Sequence, residues 1–187
     1  MMFKEITNKA NRLFKYYPEL NTGKRASMSE YKNLKWNTRR KIPKWFRQLM
    51  IDFPLTDLNI GIPFNYGWES LKNKKINELP LLNTKFNSFD DMAFEATETF
   101  PGLELIKKGF ICIAPDENSS GDGFYIKVKE KNPKVVYVYH DCGSNSKELI
   151  SNSQLIAASF TEFLDIIKPP EIIDDWIARN SLKDADL

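Results

Sequence analysis

The sequence holds little with which to perform covalent or metal chemistry. Two cysteines and one histidine stand among 187 residues, so neither a disulfide framework nor the repeated Cys/His spacing of a structural zinc site is present. Cys112 and Cys142 lie in or beside strand-like segments and are expected as reduced, half-buried thiols. Long apolar runs are also missing. VVYVY at 135–139 is among the longest, far below the roughly 18 residues of a membrane helix, so no membrane contact is expected. The first residues, MMFKEITNKANRLFKYY, are basic and amphipathic, without an apolar stretch followed by small residues. No secretory leader is read there, and a cytoplasmic location is expected.

What is present suffices for one ordinary core, at 42% hydrophobic residues. The net charge of +2 conceals an asymmetry: residues 1–80 carry 16 Lys and Arg against 7 Asp and Glu, and residues 81–187 carry 11 against 18. The basic half is spread among helix-compatible positions and forms no block of five or six like charges. That distribution favours a solvated helix face over a nucleic-acid site.

Between residues 3 and 20, Phe3, Ile6, Ala10, Leu13, Phe14 and Tyr17 recur at spacings of three and four, predicting an amphipathic helix that Pro18 stops. The next polar stretch reads as irregular. IPKWFRQLMIDF predicts a second helix, with Pro43 in its first turn, Trp45, Phe46, Leu49 and Phe53 on its buried face, and Pro54 ending it. Alternation at Leu55, Leu58, Ile60 and Ile62 predicts a strand. No clear pattern runs from Trp68 to Phe86. SFDDMAFEATETF predicts a short helix capped by Ser88 with Asp91 in the capping-box position.

From Gly109 onward, FICIA, FYIKVK and KVVYVYHD predict an antiparallel meander. In its middle strand Phe124, Ile126 and Val128 share a covered face, and Tyr125, Lys127 and Lys129 share a wet one. After a polar loop, SFTEFLDIIKPP predicts a helix with a Ser159/Glu162 capping box and a stripe of Phe160, Phe163, Leu164 and Ile167. EIIDDWIARN predicts a last helix. The expected organisation is a basic helix and connector at 1–35, an α+β domain at 36–168, and a C-terminal helix at 169–187 packed on it. The sheet is expected to be antiparallel, with helices packed mainly on one face.

The turn inside GFICIAPDENSSGDGFYI invites chemical readings. A phosphate loop would need GxxxxGK followed by Ser or Thr, but Asp122 follows Gly121. An EF-hand loop begun at Asp116 would place Lys127 where a bidentate Glu is required, and its flanks are strands. The plain reading is a turn in which Asp116, Asn118 and Ser119 bond their own backbone and glycines permit positive φ. His140 with Asp141 is the other chemical pair, and His140 as a base for Cys112, oriented by Asp122 or Asp116, would make a small hydrolase. A histidine bonding a nearby carbonyl or carboxylate at a strand end is the plainer account.

Taken in order, GFICIA, a turn rich in Asp with Gly-Asp, FYI, VVYVYHD, a polar gap and IAASFTEFLDII resemble the signature of the SUKH superfamily of Smi/Knr-type domains. IPKWFRQLM resembles the family's proline-and-aromatic helix upstream, so the resemblance spans residues 36–168. Two features depart from it: FPLTDLNIGIP replaces the usual Asn-Gly near the end of the second helix, and two serines lengthen the Gly-Asp turn. The resemblance implies an α+β domain with a single curved sheet used as a binding scaffold, many bacterial members being immunity proteins that neutralise a toxin, often a nuclease, by direct binding. The family's Gly-Asp falls on Gly121 and Asp122, with Asp116 on the same loop. With Glu117, Asn118, Tyr125, His140 and Asp141 they form the candidate partner-binding set. A cognate protein toxin is the expected partner, a basic nuclease suiting the acidic half, with no catalytic residue, metal or cofactor.

Overall fold

Cap and turn chemistry divides the chain more finely than its apolar periodicity does. A computed structural model describes residues 2–39, 41–67, 73–116 and 121–170. In chain order the elements are α1 (Met2–Tyr16), α2 (Met28–Asn33), α3 (Trp36–Arg39), α4 (Lys44–Asp52), β1 (Asn59–Pro63), β2 (Leu81–Lys85), α5 (Phe89–Glu98), α6 (Gly102–Leu105), β3 (Phe110–Pro115), β4 (Gly123–Lys127), β5 (Val135–Val138), α7 (Ser146–Ser151), β6 (Gln154–Ala157) and α8 (Phe160–Ile166). The C-terminal helix expected over 171–187 lies outside the described residues, as does Trp68.

α1 buries Ile6, Ala10 and Leu13 as its periodicity requires, and Lys9 pairs with Asp165 of α8. Its Phe14 stacks on Phe53, with ring centroids 6.0 Å apart. α1 therefore belongs to the same core as the domain expected from residue 36. α4 buries Phe46, Leu49 and Met50, and Pro43 occupies its N-cap, one residue before the first turn. The polar stretch read as irregular contains α2, held by a full capping box. Glu30 N–H donates to Ser27 Oγ at 3.1 Å, and Ser27 N–H donates to Glu30 Oε2 at 2.5 Å. Hydrogen bonds from Ser27, its backbone N–H first and its hydroxyl second, hold the Glu30 carboxyl below the usual carboxylate range. Ser88 and Asp91 make the predicted box on α5. On α8, Ser159 Oγ accepts from Glu162 N–H, but the Glu162 carboxylate accepts from Ala158 N–H at 2.9 Å, one residue before the cap.

The strands form an α+β architecture with two open antiparallel ladders, β1–β2 and β3–β4–β5–β6, where one continuous sheet was expected. The ladders meet at a bridge between Thr84 and Asp116, with the Thr84 hydroxyl donating to Pro115 O. The ladders stay separate because the chain leaves β2 at Lys85 to enter α5, capped at Ser88. Beyond that bridge, contact with β3 passes to Asn87, whose backbone N–H donates to Ile113 O at 2.8 Å and whose amide donates to Cys112 O at 3.3 Å. β2 itself lies in the stretch that had no readable pattern.

The second face of the meander is the main correction. On the first face Ile111, Ile113, Phe124, Ile126, Val135 and Tyr137 join α1, α4 and α8 in the large core. On the other, Tyr125 is 1% exposed and packs with Cys112, Val138, Leu105 of α6 and Leu149 of α7. The wet face is thus confined to the strand end at Lys127 and Lys129, because α6 and α7, both unread in the sequence, cover the rest. Cys112 is buried and Cys142 exposed, so neither thiol is half-buried.

Phe163 joins the two halves of the large core, its ring 6.3 Å from Phe86, 6.0 Å from Phe124 and 5.9 Å from Phe160. Truncating a buried aromatic removes its transfer energy and leaves a cavity, so Phe163→Ala is expected to cost about 3–5 kcal/mol of stability. Urea denaturation followed by circular dichroism measures it; a loss below about 1 kcal/mol would contradict this packing.

Candidate functional site

The turn between β3 and β4 is closed by its own backbone and by β5. Asp116 N–H donates to Asp122 O at 2.9 Å. Asp122 Oδ1 accepts from the His140 backbone N–H at 2.7 Å and lies 2.7 Å from His140 Nδ1. The Tyr137 hydroxyl donates to Asp116 Oδ2 at 2.7 Å and stands 3.4 Å from Asp122 Oδ2. With a single proton to give, it bonds Asp116 chiefly. Asp122 is therefore the clamp that holds the end of β5 to the turn. Asp116, Asp122, Tyr137 and His140 form one connected polar cluster.

Gly121 makes this approach possible. Its φ is +113°, and a Cβ there would fall 2.9 Å from Phe100 O and 3.2 Å from His140 Cβ. Beneath the cluster, the Tyr137 ring packs edge-on against Phe64 at 4.7 Å, Phe124 at 5.1 Å and Tyr139 at 4.9 Å. Tyr139 in turn donates to Gln154 Oε1 at 2.9 Å.

Burial first, and then the Asp116 hydrogen bond and charge, hold the Tyr137 hydroxyl far above the usual tyrosine range. Tyr66 is pushed up to about 12 by burial and by the Asp116 charge, and Tyr139 is raised by burial and by Asp122. All three stay protonated at neutral pH, and Tyr137 is the one that donates to the acidic turn.

The sequence-derived set is divided by this geometry. Asp116, Gly121, Asp122 and His140 come together. Glu117 and Asn118 lie outside the described residues. Tyr125 is buried beneath α6 and α7 and presents no surface to a partner. β5 ends at Val138, so His140 and Asp141 sit in a turn, Asp141 exposed. Cys112 does not join His140: it packs in the smaller core beside Tyr125, and burial, with the Glu95 charge second, pushes its thiol up, far from a thiolate at neutral pH. Among the described residues no group of three or more His, Cys, Asp or Glu is placed to hold a metal ion.

Two features went unread. Tyr137 is the donor that organises the turn and Tyr139 packs edge-on beside it, and their period-two placement in VVYVYHD put both on the face of Phe124. Lysines from three separated segments also converge at the far end of β3 and β4, lining one groove. No local run of charge marks them.

The clamp predicts two costs. Asp122→Ala leaves the His140 N–H without its acceptor and is expected to lose about 1–3 kcal/mol, with Asp122→Asn losing less. Gly121→Ala forces a Cβ into a positive-φ position and is expected to lose roughly 1–3 kcal/mol. Urea midpoints of the three variants check this. An unchanged midpoint for Gly121→Ala would contradict the turn as described.

The chain matches no protein-family model, no curated protein and no solved structure.

Proposed function

We propose that the chain is a non-enzymatic protein-binding module of the immunity kind, neutralising a cognate bacterial toxin in the cytoplasm by direct binding. The observation that carries the reading is the inward use of its polar residues. Asp116, Asp122, Tyr137 and the His140 backbone satisfy one another and fix the two ends of the turn, and groups held in place before binding lower the entropic cost of association. A SUKH-like curved sheet agrees with the strand order, since the Thr84–Asp116 bridge brings β2 beside β3 and lines the strands up as β1 to β6. Nanomolar inhibition needs about −12 kcal/mol, within reach of an interface of ordinary size with a few well-seated anchors. A nuclease is one toxin class this reading accommodates.

One observation favours a second reading. His140 is half-exposed and has a carboxylate oxygen at Nδ1, the arrangement of a general base oriented by an acid. A hydrolase would still need a nucleophile, and the buried Cys112 thiol is not one.

Co-expression with the product of the adjacent gene separates the two. Rescue of growth by the wild type, retained within about threefold in partner affinity by His140→Ala, is expected for the binding module. Rescue that disappears with His140→Ala while the variant still binds its partner would favour the enzyme. A neighbouring chain that is not toxic, with no rescue, would sink the immunity reading.

A further inference from the structure

The end of the β3–β4 ladder remote from Asp122, roughly 17 Å away along β4, has the opposite character. Lys41 and Lys44 at the start of α4, Lys107 and Lys108 ahead of β3, and Lys127 and Lys129 at the end of β4 line a groove of about 760 Å³. No described carboxylate lines it. Lys107 pairs with Glu104 and Lys127 with Glu130 at 3.6 Å, but among the described residues Lys41, Lys44, Lys108 and Lys129 form no ion pair. Like charges gathered on one concave wall repel, and a bound anion relieves them.

At Pro43, Lys44, Val128 and Lys129 this groove runs into a second hollow of about 660 Å³, whose other walls include Phe3 and Trp45. The Trp45 ring is fixed edge-on to Phe46 at 5.4 Å and tilted on Phe160 at 5.0 Å. Its indole N–H already donates to Glu130 O at 3.4 Å, and the Gln48 amide at the same hollow donates to Asp52 at 2.9 Å. The hollow therefore offers an apolar side chain a carbon-lined seat, its indole and amide donors engaged elsewhere and its lysine ammonium groups left at the rim.

We propose that the two together dock an acidic segment of a partner protein, carboxylates along the lysines and one apolar side chain seated against Trp45. The proposal rests on the protein-binding reading and names its contact face. A nucleic acid fits the pair less well: the hollow beside the lysines is lined mostly by carbon, and the indole and amide donors that a base edge would need there are already bonded. A charged groove beside a single apolar anchor is the pattern in which a few residues carry most of the affinity and charge sets the capture rate. The cluster of Asp116, Asp122 and His140 then serves the fold, and the basic end serves recognition.

The test uses fluorescence anisotropy of the full chain with three labelled probes: a Glu/Asp peptide with one central tryptophan, the same peptide with glycine in its place, and an oligothymidylate of equal charge. The tryptophan peptide is expected to bind best, weaken as salt rises, and weaken by roughly tenfold on Lys44→Glu with Lys129→Glu. Both lysines are exposed, so the variant is expected to keep the wild-type thermal midpoint; Lys44→Ala with Lys129→Ala is the gentler control. Tighter capture of the oligothymidylate through the same lysines would overturn the proposal, as would failure of the tryptophan peptide to bind at low salt or indifference to the charge reversal. In the co-expression assay, rescue that survives the reversal would remove this groove and leave the binding module standing. Absence of any rescue, with peptide capture intact, would remove the immunity reading and leave the groove.

Discussion

Burial of β4 on both faces is the constraint on which the rest depends. Phe124 and Ile126 face the large core and Tyr125 the small one, and each fully buried side chain of this size contributes about 1.5–3 kcal/mol relative to exposure. A strand sealed on both faces can meet solvent only at its ends. One end is tied by Asp122 to the turn that follows β5, and the other opens onto the lysine groove. The position of every candidate surface follows from that geometry.

The two ends hold opposite charge but differ in how it is used. At the acidic end, Tyr137 and the His140 N–H neutralise the carboxylates locally, and the raised tyrosine hydroxyls show how strongly that neighbourhood resists a further negative charge. At the basic end four lysines stand without a described counter-ion. Charge that the fold does not compensate is what an incoming partner can use. On the proposed docking face the sign is opposite to the simplest inference from composition, in which the acidic half of the chain would grip a basic partner.

Legibility in the sequence tracked the range of the forces involved. α1, α4, α5 and α8 carry local periodicity and were readable from it, as was the meander. α2 was readable in principle from SMSE, a capping box followed by little apolar sequence, which is why its stretch passed for irregular. β2 and β6 are short and gain their partners only through tertiary pairing, and α6 and α7 each span less than two turns, so their signals drown in polar neighbours. Missing those two helices is what left Tyr125 on a supposedly wet face. Within the site, Asp116, Gly121, Asp122 and His140 were found because one turn and one strand end contain them. The lysines of the groove escaped because three segments far apart in sequence supply them, and only the pairing of β3 with β4 and the packing of α4 bring them together.

The most direct measurement is amide hydrogen exchange of the chain alone and in complex with its purified cognate partner. Slowed exchange confined to residues 41–48, 107–110 and 127–131, with the turn at 121–123 and 139–141 unchanged, is the expected result. Protection centred on the turn, with those lysine segments exchanging as in the free chain, would contradict it.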